Sequence, residues 1–220
     1  MGIFILRLPP KIQRVLDRAL KPAVWIGGLF PLAWLAYDAL TDGLSADPIR
    51  NVTLRTGKAA ITLLMVTLAV TPLRRLTGWN GVIRARRPLG LFAFFYVCLH
   101  FSIYLVDQWF SWEYIVDDIV EHPYVTVGFT AFLLLIPLAV TSTKGWIRRM
   151  GKGWQKLHRL VYLAAGLAVV HFLWLVKKDL REPLIYLAVF AALMALRLPP
   201  RSRQRRRPPV RVGEAAGAEG

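Results

Sequence analysis

The sequence predicts an all-α integral membrane protein, a bundle of six transmembrane helices with both termini cytoplasmic. Three observations lead there. The 220-residue chain is 55% hydrophobic. Its apolar residues gather in blocks of about 15 to 20, the length that crosses a bilayer. Its cations are unequally shared between alternate loops, with 23 Lys and Arg on one side and 6 on the other. By the positive-inside rule the richer side is cytoplasmic.

Along the chain, residues 1–21 form an arm. Ile12, Val15, Leu16, Ala19 and Leu20 share one helical face, with Arg14, Asp17 and Arg18 off it. This is the pattern of an amphipathic helix on the inner leaflet, in contact with membrane lipid. The six spans are 22–39, 59–73, 88–106, 124–141, 160–176 and 183–198. They are continuously apolar, so they read as helices rather than alternating barrel strands. The second and sixth are short, reaching about 22–24 Å against a hydrocarbon core of about 30 Å. Arg55, Lys58, Arg74 and Arg197 at their ends can snorkel to the interface; re-entrant segments are the alternative. Pro31 and Pro137 lie inside spans and are expected to kink them. The six-helix domain thus occupies 22–198. The tail 199–220 is rich in Pro, Arg and Gly and is expected to be a disordered basic cytoplasmic segment.

The formal net charge of +16 invites a nucleic-acid reading. Topology accounts for that charge, and no nucleic-acid partner is expected. The outer loop 107–122 is instead acidic and aromatic, suited either to a transient partner or to solvent. One cysteine, Cys98, excludes an internal disulfide and reads as a small core residue. No cleavable leader, P-loop or dinucleotide fingerprint is evident.

The chemistry lies in the histidines. Only four are present, and His100 and His171 stand in otherwise apolar runs. An imidazole in hydrocarbon faces the bundle interior and needs a partner. His100 is about 18 Å into the third span, and His171 about 20 Å beyond His158 in the fifth. Both spans run outward, so His100 and His171 share a depth in the outer half, with His158 near the inner surface. Two histidines on neighbouring helices at one depth can serve as axial ligands of one haem. No carboxylate stands in the third and fifth spans for a proton relay or hard cation, and no Cys/His spacing suits zinc. Gly90, Ala164, Ala165, Gly166 and Ala168 offer room for a flat macrocycle or for another helix. An interhelical hydrogen bond is the plainer reading of any single buried histidine, and interfacial solvation is that of His158. About 140° of helical rotation separates His158 from His171, so they do not share one axis on an ideal helix. His122, before Pro123, reads as surface. The inner loops mix Arg, Lys, Gly and Trp in a way that suits a flavin phosphate or haem propionates, although topology alone explains their charge.

The stretches TGKAAITLLMVTLAVTPLRRLTG, RRPLGLFAFFYVCLHFSIYLVDQ, HPYVTVGFTAFLLLIPLAVTS and GWQKLHRLVYLAAGLAVVHF carry a resemblance. Together they resemble the MsrQ (YedZ) family, haem-binding membrane subunits of bacterial protein-methionine-sulfoxide reductase systems. That family lies within the broader ferric reductase and NADPH oxidase transmembrane family. The resemblance implies haem b on histidines matching His100, His158 and His171, and a multi-pass place in the bacterial inner membrane. It implies a periplasmic molybdopterin-dependent catalytic subunit that reduces methionine sulfoxide, a lesion that disrupts packed cores. It implies quinol or a cytoplasmic flavin reductase as electron donor; FMN binding is also attributed to the family. Two-haem members of the broader family carry a further histidine about fourteen residues before the one matching His100. Here that position is Arg86, which does not ligate iron while charged.

The chain therefore reads as an electron conduit, with no catalytic residue of its own assigned. The same chemistry with another acceptor would make it a metal or quinone reductase component. A six-helix transporter with structural histidines is the rival of a different class.

Overall fold

The computed structural model describes residues 8–41, 43–176 and 179–197. Among them the regular structure is entirely helical. In chain order the helices are α1 (Pro10–Leu40), α2 (Pro48–Thr77), α3 (Arg86–Asp107), α4 (Trp112–Glu121), α5 (Pro123–Val140), α6 (Lys144–Met150), α7 (Lys152–Leu157), α8 (Leu160–Leu175) and α9 (Arg181–Ala195). A 3₁₀ turn, Asn80–Ala85, leads into α3. The protein is an all-α membrane bundle. Among the described residues five helical stretches are long and apolar enough to cross a bilayer: α1, α2, α3 with its leading turn, α5, and α7 with α8. The expected sixth span corresponds to α9, at 15 residues. Its last residue, Leu198, and the tail 199–220 lie outside the described residues.

α2 is the central rod. It packs along α3 and also meets α1, α8 and α9. Leu63, Leu64, Met65, Leu68 and Val70 on α2 join Ala93 and Tyr96 on α3 and Val161, Ala164, Ala165 and Val169 on α8 in one buried core. α2 is longer than its apolar block because the helix continues outward through Arg55 and Lys58. Those cations find partners: Arg55 pairs with Asp38 at the end of α1, and Lys58 with Glu182 on α9 at 2.7 Å. On α1, Trp25, Ile26, Leu29, Phe30 and Trp34 stay exposed. An apolar surface of that extent belongs against lipid.

α1 runs unbroken through Pro22 and Pro31, so from Pro10 onward the arm is the opening of the first long helix. Its Asp17 accepts a hydrogen bond from Trp79 Nε1 at 2.7 Å and pairs with Arg84 at 2.8 Å. At the Pro31 level the Tyr96 hydroxyl enters the α1 hydrogen-bond ladder. It accepts from the Leu32 N–H at 3.0 Å and donates to the Gly28 carbonyl at 2.8 Å. Those two backbone groups are an i to i−4 pair, and an inserted polar group is one of the recognised causes of helix bending.

Candidate haem-ligand site

Two helix pairs build the site. α3 lies on α2, and α8 lies on α5. His100 leaves α3 and its Nδ1 meets the Thr53 carbonyl of α2 at 2.9 Å. His171 leaves α8 and its Nδ1 meets the Tyr124 carbonyl of α5 at 2.7 Å. A carbonyl only accepts, so each Nδ1 carries the proton and each Nε2 keeps its lone pair. The two rings neighbour each other across the bundle in a T-shaped arrangement, centroids 6.2 Å apart and planes 82° apart. The pair sits toward the α4 end, since α3 and α8 both approach their C-termini there and α5 begins there.

Each ring is seated on a glycine one turn after the carbonyl that holds it. A Cβ at Gly57 would lie 3.1 Å from His100 Nδ1, and one at Gly128 would lie 2.6 Å from His171 Nδ1. Phe101, beside His100, packs at a tilt against Phe129 and Phe132 of α5 at centroid distances of 5.6 and 4.9 Å. This aromatic wall joins α3 to α5 beside the imidazoles.

His158 is elsewhere. It caps α7 at the far end of α5 from α4. Its ring stacks on Trp154 at 3.8 Å, and Trp154 Nε1 donates to the Thr141 carbonyl at 2.9 Å. His158 Nδ1 donates to the Trp154 carbonyl at 3.1 Å, while its Nε2 is buried without a hydrogen-bond partner. All three histidines therefore keep an unprotonated Nε2, two of them on rings that neighbour each other and one alone.

A family model described as the ferric reductase like transmembrane component matches residues 56–169. Proteins named protein-methionine-sulfoxide reductase heme-binding subunit MsrQ align over most of the chain. That of Xanthomonas campestris pv. campestris (strain 8004) is 49% identical over 187 residues, covering 82% of this chain and 86% of its own. Those of Herminiimonas arsenicoxydans and Rhodospirillum rubrum are 48% and 49% identical, covering 86% of this chain and 87% and 92% of their own. The chain belongs to the MsrQ family. No solved structure matches it significantly.

The family match spans His100 and His158 and stops just short of His171. The small residues singled out in the sequence serve packing instead of the imidazoles. A Cβ at Gly90 would face Thr67, one at Gly166 would face Phe190, and Ala164 and Ala165 are fully buried in the core. Gly57 and Gly128 are the residues that sequence reasoning missed. Their signal was spacing: each follows by four the residue whose carbonyl receives a histidine. His122 lies at the surface, its side chain 44% exposed. Its Nδ1 lies 3.0 Å from Asp118, and its ring is 5.5 Å from Tyr124.

Proposed function

We propose that this chain is a haem-binding electron-transfer subunit of a bacterial protein-methionine-sulfoxide reductase system, with His100 and His171 as the axial pair. The observation that carries the reading is the nearness of two imidazoles from separate helix pairs, centroids 6.2 Å apart, each with Nδ1 pinned by a carbonyl. These two imidazoles would hold the iron of a haem. Among the described residues no group of three or more His, Cys, Asp or Glu could hold a metal ion. Two protein donors suffice only for a metal that brings its own equatorial ligands, as iron in a porphyrin does.

Haem b, when bound, supplies reversible one-electron chemistry. The chain's residues do the rest. Thr53 and Tyr124 fix the tautomer and the ring direction, and a hydrogen-bonded Nδ1–H raises the basicity of Nε2. The aromatic wall and the α2 core keep water away, which tunes the potential of a buried iron. His158, with its buried unpartnered Nε2, is retained as a third cofactor-binding residue at the other end of the bundle.

The reading extends to the multi-pass plan: six spans over 22–198, arm 1–21 and tail 199–220 cytoplasmic, and an inner-membrane location. Electrons enter from quinol or a cytoplasmic flavin reductase, with FMN as a second cofactor. They leave at the α4 end to a periplasmic molybdopterin-dependent catalytic subunit. The experiment is purification of the full chain with ample porphyrin supply. A Soret band that shifts on reduction, lost in His100→Ala and in His171→Ala, is expected. A colourless protein would end the haem reading. Haem without electron delivery to the catalytic subunit would end the sulfoxide-repair assignment alone.

A further inference from the structure

Each of the two imidazoles is pinned within its own helix pair, His100 to α2 and His171 to α5. What those bonds leave free is the placement of one pair relative to the other. The aromatic wall between α3 and α5 and the core that α8 shares with α2 fill that space, but apolar contact is non-directional. A directional tie is found on α4.

Tyr104, one turn beyond His100 on α3, donates its hydroxyl to Asp118 Oδ2 at 2.9 Å. The other carboxylate oxygen of Asp118 lies 3.0 Å from Nδ1 of His122, the N-cap of α5. The His122 ring neighbours Tyr124 at 5.5 Å, and the Tyr124 ring neighbours His171 at 6.1 Å. Tyr124 also supplies the carbonyl that holds His171. Asp118 stands apart from the other acids of its helix. Its side chain is 17% exposed, whereas Glu113, Asp117 and Glu121 are exposed. Withdrawing a carboxylate from water costs free energy unless it is hydrogen-bonded, and Asp118 is withdrawn onto the Tyr104 hydroxyl of α3, beside His122, the residue that joins α4 to α5.

We infer that Asp118 is a positioning residue, clamping the end of α3 to the start of α5 and thereby setting how the His100 and His171 imidazoles face each other. The inference rests on the reading of those two as an axial pair. Asp118 touches neither imidazole. It acts through Tyr104, which shares a helix face with His100, and through the α5 N-terminus, which carries Tyr124.

The test uses the full chain, haem-loaded, in nanodiscs. Asp118→Ala and Tyr104→Phe each break the clamp. Asp118→Asn keeps an acceptor oxygen for Tyr104. Electron paramagnetic resonance of the ferric state reads the mutual orientation of the imidazoles, and a redox titration reads the midpoint potential. In Asp118→Ala and Tyr104→Phe the low-spin signal should shift or split, and haem transfer to apomyoglobin should quicken by about tenfold, the lower end of the effect of a lost outer-shell partner. Asp118→Asn should stay near wild type. Wild-type g values and potential in both Asp118→Ala and Tyr104→Phe would overturn the clamp. If Asp118→Ala does not insert, Tyr104→Phe decides, since it keeps the ring and deletes only the hydroxyl. Should wild type carry no haem, the axial-pair reading fails on its own. Hydrogen exchange over residues 100–106 and 122–128 of that haem-free protein then judges the clamp. Faster exchange in both variants supports it, and unchanged exchange overturns it.

Discussion

The imidazoles show how much of a site can be held by backbone. Thr53 and Tyr124 act through carbonyls, so neither side chain announces the role. This is why the sequence points to the histidines by their shared depth but is silent on what orients them. Gly57 and Gly128 are legible only once the carbonyls are known. They also give a graded test. Alanine at Gly128 would put a Cβ 2.6 Å from His171 Nδ1, closer than real contacts allow, and alanine at Gly57 would sit at 3.1 Å from His100 Nδ1. Against either clash stands a gain of about 0.5–1 kcal/mol from replacing glycine in a helix interior. Gly128→Ala should therefore lower haem affinity by about 10- to 100-fold, while Gly57→Ala should retain most of its haem. Haem content per polypeptide, by pyridine haemochrome, checks both. The ring planes stand 82° apart. Near-perpendicular axial imidazoles give a strongly anisotropic low-spin ferric signal, so the wild-type spectrum should show that form rather than the rhombic signal of parallel rings.

At the level of elements, the long apolar helices were readable from hydropathy and the short ones were not. α4, α6 and α7 are brief, and they mix aromatic, acidic or basic residues with small ones, so no apolar block marks them. α2 was underestimated for a physical reason. Arg55 and Lys58 end the apolar block, yet the helix continues because Asp38 and Glu182 neutralise them. The Lys58–Glu182 pair is half-exposed, and its loss in Lys58→Ala should lower thermal stability by less than about 1 kcal/mol. Tyr96 is the sterner case. Its hydroxyl serves both Leu32 N–H and Gly28 C=O inside the α1 ladder. Tyr96→Phe leaves those groups to re-pair by straightening α1 or to remain unmet, at a cost of about 1–3 kcal/mol. Thermal unfolding in detergent should register that loss with the Soret band intact. Loss of haem in Tyr96→Phe would mean that α1 supports the site more directly than this packing indicates.

For the molecule as a whole, charge and ligand placement run along the same axis. The segment 88–143 contains no Lys or Arg, and it carries His100, the acidic α4 and the whole of α5. The basic loops lie at the other end of α3 and α5, with His158 among them. Alkaline phosphatase fused after Glu121 should be active, and fused after Lys152 inactive; the reverse pattern would invert the proposed direction of electron flow. The bundle also divides in two, α2 with α3 and α5 with α8, each half bearing one imidazole held 47 residues from its carbonyl. Neither half alone can complete an iron's coordination. Because both halves nevertheless share one buried core, a packing lesion in either would be felt at the opposite ring as well as at its own.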